Sequence, residues 1–415
     1  MRVDEVKNAE RKKWGKPLDG VRILAAEQMQ ALPYATQLMS HLGAEVVKVE
    51  HPEHGESGRG SQPALIDSDG RRVGATYLRN NLNKRSIGIN LKRPEGAALF
   101  KQLVPHFDIV AENFTPGSME RLGLDYEAIA KIAPRVIYLS VSGFGNQTDS
   151  PYSTWPAYAP VVEAMAGVYE PTRKPGEPPP VVVAGALGDN GAALFGIIGM
   201  LAALHHRERT GLGQHIDISM YDCMIAMTDM VPHLWSMQAP AAWATAGSFG
   251  IVSAFRAQDG YFVVSVLREH HFERLAKTIG HPEWCDDPRF ATREGWAEQV
   301  ETSLRPAIEG WAEGKTRLEA CAALCSQGIA AGPSNLAEDI YADPHVRAHD
   351  MLIEVPRPDH DRPMQVAGNP VKLSRVAEGP IHRFPQLGEH TDSVLREALG
   401  LDDAQLGDLR ARGVI

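Results

Sequence analysis

One carboxylate in this chain stands where a helix end can make it reactive. The stretch Ala186-Leu-Gly-Asp-Asn-Gly runs into a long apolar segment, then His205-His-Arg-Glu-Arg-Thr-Gly-Leu-Gly-Gln, then His215-Ile-Asp-Ile-Ser-Met. That order reads as strand, tight turn, helix, glycine stop and strand, and it puts Asp189 at the turn where the helix begins. A helix N-terminus exposes backbone N–H groups and a partial positive charge. Hydrogen bonds to the charged form lower a carboxylate's pKa, so Asp189 is expected to be ionised at neutral pH. The same helix end can receive a second negative oxygen. A carboxylate so placed can act as a nucleophile on an acyl group that carries a good leaving group. Gly188, Asn190 and Gly191 predict an open turn that admits a substrate carbonyl. An isolated Asp in this position ordinarily just caps its helix; the rest of the chain decides between the two readings.

Other polar residues gather at the ends of predicted strands: Gln30, then Glu50-His51-Pro52, then Asn80, Asn83, Lys84 and Arg85, then Lys92-Arg93, then Glu112-Asn-Phe-Thr-Pro-Gly117, then Ser142-Gly-Phe-Gly145. Ligands of parallel sheets bind beyond the carboxyl ends of the strands. Singly, each group also reads as a solvated loop, turn or cap. The four cysteines form no C-x-x-C pair and read as buried thiols of a reducing compartment. His205-His206 complements a helix C-terminus, and His270-His271 has no evident partner. No metal site is predicted, and no G-x-S-x-G elbow is present.

The first half alternates strands (from Val21, Glu45, Ser86, Asp108 and Arg135) with helices (Ala35–Leu42, Pro94–Val104, Asp125–Ile132). This rhythm predicts a doubly wound, mostly parallel α/β sheet, Rossmann-like in shape. The loop after the first strand, Gln28-Met-Gln-Ala-Leu-Pro-Tyr, lacks the dinucleotide fingerprint. Residues 146–180 read as a long loop with a helical piece at Val161–Gly167, and Ala239–Gly250 as a linker or lid. With 415 residues, two domains are expected: a large one over 1–229, a smaller α/β one over 230–345, and a return to the large domain over 346–415. A net charge of −10 argues against nucleic acid. The first fourteen residues are densely charged, unlike a signal peptide, and the apolar run 192–204 is too short to span a bilayer. A cytoplasmic protein without membrane contact is the expectation.

The ordered series Gly20-Val-Arg-Ile-Leu, Leu42-Gly-Ala-Glu-Val-Val-Lys-Val-Glu, Asn83-Lys-Arg-Ser-Ile, Glu112-Asn-Phe-Thr-Pro-Gly, Arg121-Leu-Gly, Pro134-Arg-Val-Ile-Tyr, Ser142-Gly-Phe-Gly, Gly188-Asp189, 204–214 and Leu387-Gly-Glu-His-Thr resembles the family III CoA-transferases, the CaiB/BaiF family, in its formyl-CoA-transferase-like form. The resemblance spans nearly the whole chain. It implies ring-like chains interlinked as a homodimer. It implies that Asp189 takes an acyl group from an acyl-CoA as an aspartyl anhydride, receives CoA as an aspartyl thioester, and passes it to an acceptor carboxylic acid. Gln30 then stands beside the acyl group. Ala31, His51, Ile89, Lys92, Asn113, Phe114, Thr115, Arg121 and Tyr158 fall where such members hold CoA, with Lys92 and Arg121 suited to phosphates. CoA is a substrate in this picture, and no tightly bound cofactor is implied.

The same fold serves 2-methylacyl-CoA racemases, which abstract a proton with a His–Asp pair. Here Tyr158 stands where that histidine would be, and a phenol, ordinarily of pKa ~10, is a poor base at neutral pH. Transfer is therefore favoured over racemisation; a CoA-binding protein without activity is a third reading. The chain departs from the family pattern at Ala25, Leu32 and Ala192-Ala193, and Leu32 is expected to reshape the acyl pocket. Trp235, Met237 and Trp243 read as an apolar pocket wall or as interface packing. Small dicarboxylates and larger apolar acids both remain open as substrates.

Overall fold

The computed structural model describes residues 1–147, 150–174, 176–182, 185–228, 230–238 and 250–415. Of the expected linker or lid Ala239–Gly250, residues 239–249, Trp243 among them, lie outside the described residues. The chain divides into two compact units. One comprises Met1–Ala166, Val181–Met227 and Pro344–Ile415, the other Gly167–Pro180 and Thr228–Asp343.

The first unit is built on six strands: β1 (Arg22–Ala26), β2 (Glu45–Glu50), β5 (Arg85–Gly88), β6 (Ile109–Glu112), β7 (Ile137–Ser142) and β8 (Gln214–Ser219). Between β2 and β5 a short hairpin of β3 (Ala64–Ile66) and β4 (Arg72–Gly74) intervenes, which the sequence reading lacked. The sheet order is β5-β2-β1-β6-β7-β8, and every pair is parallel. Strand order reverses between β1 and β6, so the loops after these two strands part and leave a crevice. Strands β1, β2, β5, β6 and β7 are near-continuous runs of buried residues, as a sheet covered on both faces requires, while the edge strand β8 is half-buried.

The helices of this unit are α1 (Ala31–His41), α2 (Ala75–Asn80), α3 (Pro94–Leu103), α4 (Ser118–Arg121), α5 (Tyr126–Ile132), α6 (Ala159–Met165), α7 (Leu187–Thr210) and α8 (Met220–Met227). Pro94 opens α3, where a missing N–H costs nothing. The C-terminal segment returns here: Val394, Leu395, Leu406 and Val414 share a core with Leu24, Val47, Ile87, Phe100 and Val110.

Helix α7 is longer than the 13-residue apolar run suggested. Its 24 residues are long and apolar enough to cross a membrane by length and composition alone, but 44% of that window is buried inside the protein. Small residues (Gly188, Gly191, Ala192, Ala193, Gly196) form its buried face, which lets it pack closely on α1 and β7. Gly211, at φ 78°, ends it.

In the second unit a three-stranded antiparallel sheet, β9 (Ile251–Ala257), β10 (Gly260–Val266) and β11 (Ala330–Pro333), is backed by helices that bury Phe272, Trp296, Leu304 and Leu324. The single helix expected over Trp296–Glu309 is broken into three pieces. The expected extended stretch Leu352–Leu373 is a hairpin of β12 (Leu352–Arg357) and β13 (His360–Ala367) in the first unit.

Candidate active site

Two adjoining cavities open at the crevice. One, of about 250 Å³, is lined by Asp189, Gln30, Ala31, Asn113, Phe114, Thr115 and Tyr158 among others. The second, of about 420 Å³, is lined by His51, Ile89, Lys92, Phe114 and Arg121. They share Gln28, Ser57 and Phe114 as common wall. All eleven candidate residues therefore border these two adjoining cavities, with Asp189 at one and the two cations at the other.

Asp189 does not cap its helix. The N-cap is Ala186, a left-handed residue at φ 41° with no side-chain cap bond, and Asp189 sits in the first turn. Its carboxylate accepts no hydrogen bond from any described residue. The expected lowering of its pKa is therefore reversed. Burial, then the negative charge of Glu163, push it up from 3.8 to about 6, with Arg79 opposing. The group is still mostly ionised at pH 7, and it is poorly solvated, as suits a nucleophile.

The turn is also less open than its glycines suggested. A Cβ on Gly188 would lie 2.7 Å from Val162 and 3.0 Å from the Ala159 backbone, so this glycine permits close packing of α7 on α6. Its N–H donates to Glu163 Oε1 at 3.0 Å, and the Asn190 N–H is taken by the Ala186 carbonyl. Two of the helix's first amides are thus already committed.

Glu163 was absent from the sequence reading. Its signal was a lone acid in the apolar segment Val161-Val-Glu-Ala-Met, and it is 2% exposed; such burial is unusual for Glu unless it is bonded. Glu163→Gln keeps an acceptor for the Gly188 amide but removes the charge. The expected result is an acid-ward shift of the lower limb of the kcat/KM–pH profile, read by steady-state assays across pH 4–8.

Gln30 donates from Nε2 to Asn190 Oδ1 at 3.2 Å, tying the end of the β1 loop to the turn beside Asp189. Asn113 turns out to be a loop pin. Its Oδ1 accepts the Gln28 N–H at 2.8 Å and its Nδ2 donates to the Gln28 carbonyl at 2.9 Å. The Phe114 N–H donates to Glu112, whose burial raises its pKa to about 7. Tyr158 is 68% exposed at the N-cap of α6. Leu32 is fully buried and absent from the cavity wall; Met29, held at φ 61°, is the residue that lines it. The expected effect of Leu32 on the pocket is therefore replaced by one of Met29. Trp235 and Met237 are exposed.

Beneath this loop lies a buried group of charges, of which Glu27 and Glu56 also border the second cavity. Lys84 meets Glu27 at 2.6 Å, while Lys48 lies 3.6 Å from Glu27 and 3.5 Å from Glu56. Glu56 accepts the Met29 N–H at 3.0 Å. Burial pushes Glu27 up, but Lys84 and Lys48 outweigh it and hold it below its usual value. Lys84, expected as a solvated loop residue, is a buried support whose pKa falls to about 8 through desolvation.

In the second chamber Lys92 and Arg121 are exposed and make no ion pair with described residues; the Arg121 guanidinium bonds only Ser118 Oγ, at 2.9 Å. His51 stacks on His54 at 4.8 Å. Its pKa is lowered by desolvation and by neighbouring His54 and Lys92. Its Nδ1 accepts the Glu53 N–H at 3.3 Å, which leaves the other ring nitrogen to donate. Lys92 and Arg121, with His51 beside them, share this chamber with Glu27, Glu50 and Glu56; two cations without ion-pair partners among the described residues can receive the oxygens of a phosphate. No cluster of metal-ligating side chains occurs among the described residues.

Comparison with known proteins places the chain in a family. Residues 18–391 match the model for CoA-transferase family III. The chain is 33% identical over 406 residues to the succinyl-CoA–L-malate CoA-transferase beta subunit of Chloroflexus aurantiacus, covering 96% of this chain and 98% of that one. It is 32% identical over 421 residues to the formyl-CoA:oxalate CoA-transferase of Streptomyces avermitilis, covering 96% and 100%. A CaiB/BaiF family crystal structure from Brucella suis superposes with a TM-score of 0.79 at 31% identity, covering 92% of this chain and 99% of that one. By sequence and by fold, the chain belongs to CoA-transferase family III.

Proposed function

We propose that the protein moves CoA from an acyl-CoA to a free carboxylic acid through covalent intermediates on Asp189. The observation that carries this reading is a half-buried carboxylate that accepts no hydrogen bond from any described residue, in a cavity adjoining one that holds two cations without ion-pair partners among the described residues. The phosphates of CoA lie at Lys92, Arg121 and His51, and the pantetheine arm runs past Phe114. Asp189 attacks the thioester carbonyl; the C–S bond breaks and CoA thiolate leaves, giving an aspartyl–acyl anhydride. The thiolate attacks the aspartyl carbonyl and releases the donor acid. An acceptor carboxylate attacks the resulting aspartyl thioester, forming a second anhydride. The returning thiolate takes the new acyl group and restores Asp189. Carboxylates suit this exchange because every leaving group is a thiolate or a carboxylate.

Racemisation is the weaker reading because no histidine lines the Asp189 chamber among the described residues. Malate and oxalate in the relatives' names are dicarboxylic acids, which favours small dicarboxylates as substrates. Leu194, Ile198 and Leu201 form an exposed apolar row on α7, which supports the interlinked homodimer that the family resemblance implies. A cytoplasmic location remains part of the proposal.

The test is trapping. Incubation with acyl-CoA and then hydroxylamine should leave a hydroxamate on the Asp189 peptide, found by mass spectrometry. Solvent deuterium entering a 2-methylacyl-CoA at its α-carbon, with no adduct on that peptide, would replace this proposal with the racemase reading.

A further inference from the structure

Trp155 lines the Asp189 cavity and not the one that holds Lys92 and Arg121, and it takes no part in the mechanism above. It opens the strip Trp155-Pro-Ala-Tyr that leads into α6. That strip is seated along its length. A Cβ on Gly143, just after β7, would lie 2.3 Å from the Ala157 Cβ, so this glycine lets Ala157 rest directly on the sheet end. Ala159, which follows the strip, packs on Gly188, the neighbour of Asp189. The Trp155 N–H donates to the Tyr152 carbonyl at 2.8 Å. The indole lies against the Tyr152 ring at 4.7 Å between centroids and stands perpendicular to Phe144 at 6.4 Å. Phe144 packs in turn on Tyr221 at 6.0 Å. Aromatic pairs of this kind fix a ring in place. Even so, Trp155 is 51% exposed, which leaves part of its surface for a ligand. The two cavities meet at Gln28, Ser57 and Phe114. Trp155, Val141 and Met220 belong to the wall that the Asp189 cavity does not share, and Trp155 is the bulkiest side chain in it.

We propose that Trp155 closes the far side of the acyl chamber and sets the upper length of the acyl group that Asp189 accepts, so that short-chain acids are exchanged and their longer homologues are refused. This assignment rests on the Asp189 reading above. An acyl group that reaches Asp189 from the CoA side extends into the unshared part of a cavity of about 250 Å³, and there it meets the indole. Indole suits a stop because it is large and turns about only two side-chain torsions. A chain that overran it would have to displace the packed Tyr152 and Phe144 rings as well, and close-packed groups resist such overfilling.

The experiment uses straight-chain donors of equal charge, succinyl-CoA, glutaryl-CoA, adipyl-CoA and suberyl-CoA, with wild type, Trp155→Ala and Trp155→Phe. Initial rates give kcat/KM, and hydroxylamine trapping reports the Asp189 adduct in parallel. In the wild type kcat/KM should fall with chain length, by about 10-fold or more from succinyl-CoA to suberyl-CoA, the low end of what a single methylene is worth in a fitted pocket. In Trp155→Ala the suberyl-to-succinyl ratio of kcat/KM should rise by about 10-fold or more. Trp155→Phe, which keeps a ring on Tyr152 and so guards the fold, should lie between. A general loosening of the strip acts on every donor and cancels in the ratio. A wild type indifferent to chain length, or a ratio unchanged in both variants, overturns the assignment to Trp155. Absence of any adduct in the wild type with every donor tried overturns the Asp189 reading instead.

Discussion

Asp189→Asn should lose CoA transfer by about 10⁴-fold or more, as removal of a covalent nucleophile does, and should melt at a higher temperature than the wild type at neutral pH. The second half follows from linkage. Folding raises the Asp189 pKa from 3.8 to about 6. A carboxyl raised in this way favours the folded state below its unfolded value, and that contribution is lost as pH rises through about 6. At pH 7 the wild type therefore holds a poorly solvated charge at a cost of about 1–3 kcal/mol. Asparagine is nearly isosteric, does not titrate, and avoids that cost. Thermal melts across pH 3.5–8 check it: the variant's advantage should be largest above pH 7 and should vanish near pH 4. Retained transfer would remove Asp189 from the mechanism. An advantage independent of pH would mean that the stabilisation has another source.

Replacing Lys92 and Arg121 together by Ala should raise KM for acyl-CoA by about 10²- to 10³-fold and leave kcat within a few-fold. Each charge-assisted contact to a phosphate contributes roughly 1.5–3 kcal/mol. Both side chains are solvent-exposed, so their removal leaves no buried group unpaired and the fold should be unaffected. An interaction made equally in ground and transition states appears in KM rather than kcat. A short acyl-pantetheine, which lacks the nucleotide, should show no difference between wild type and variant. If it does, these residues act on something other than the phosphates.

Much of this was legible in the sequence, for reasons that differ by residue. The strands of the parallel sheet are runs such as Ile23-Leu-Ala-Ala and Val46-Val, buried on both faces, and such runs stand out between turn residues. The position of Asp189 followed from the glycine-rich turn before a long apolar helix. Its protonation behaviour did not, because that depends on Glu163, 26 residues earlier in the chain, and on how deeply α7 is sunk. The same limit applies to Asn113, which lines the Asp189 cavity and whose two bonds to the Gln28 backbone depend on a residue 85 positions earlier in the chain. Lys48 alternates with valines as an outward-facing strand residue would, yet it is fully buried. Its partners, Glu27, Glu56 and the Tyr77 ring on α2, come from other segments of the chain. The break in the helix expected over Trp296–Glu309 had a visible cause in Pro306, which removes an N–H from the helical ladder.

The buried Glu27–Lys84–Lys48–Glu56 group has a consequence for how the protein responds to ionic strength. Dissolved ions screen charges that face water over about 8 Å at physiological concentration, and reach interior pairs much less. Raising potassium chloride should therefore weaken the hold of Lys92 and Arg121 on CoA, while the loop carrying Met29 and Gln30 keeps its shape. Brine would loosen the grip on the nucleotide and leave the acyl-transfer end intact.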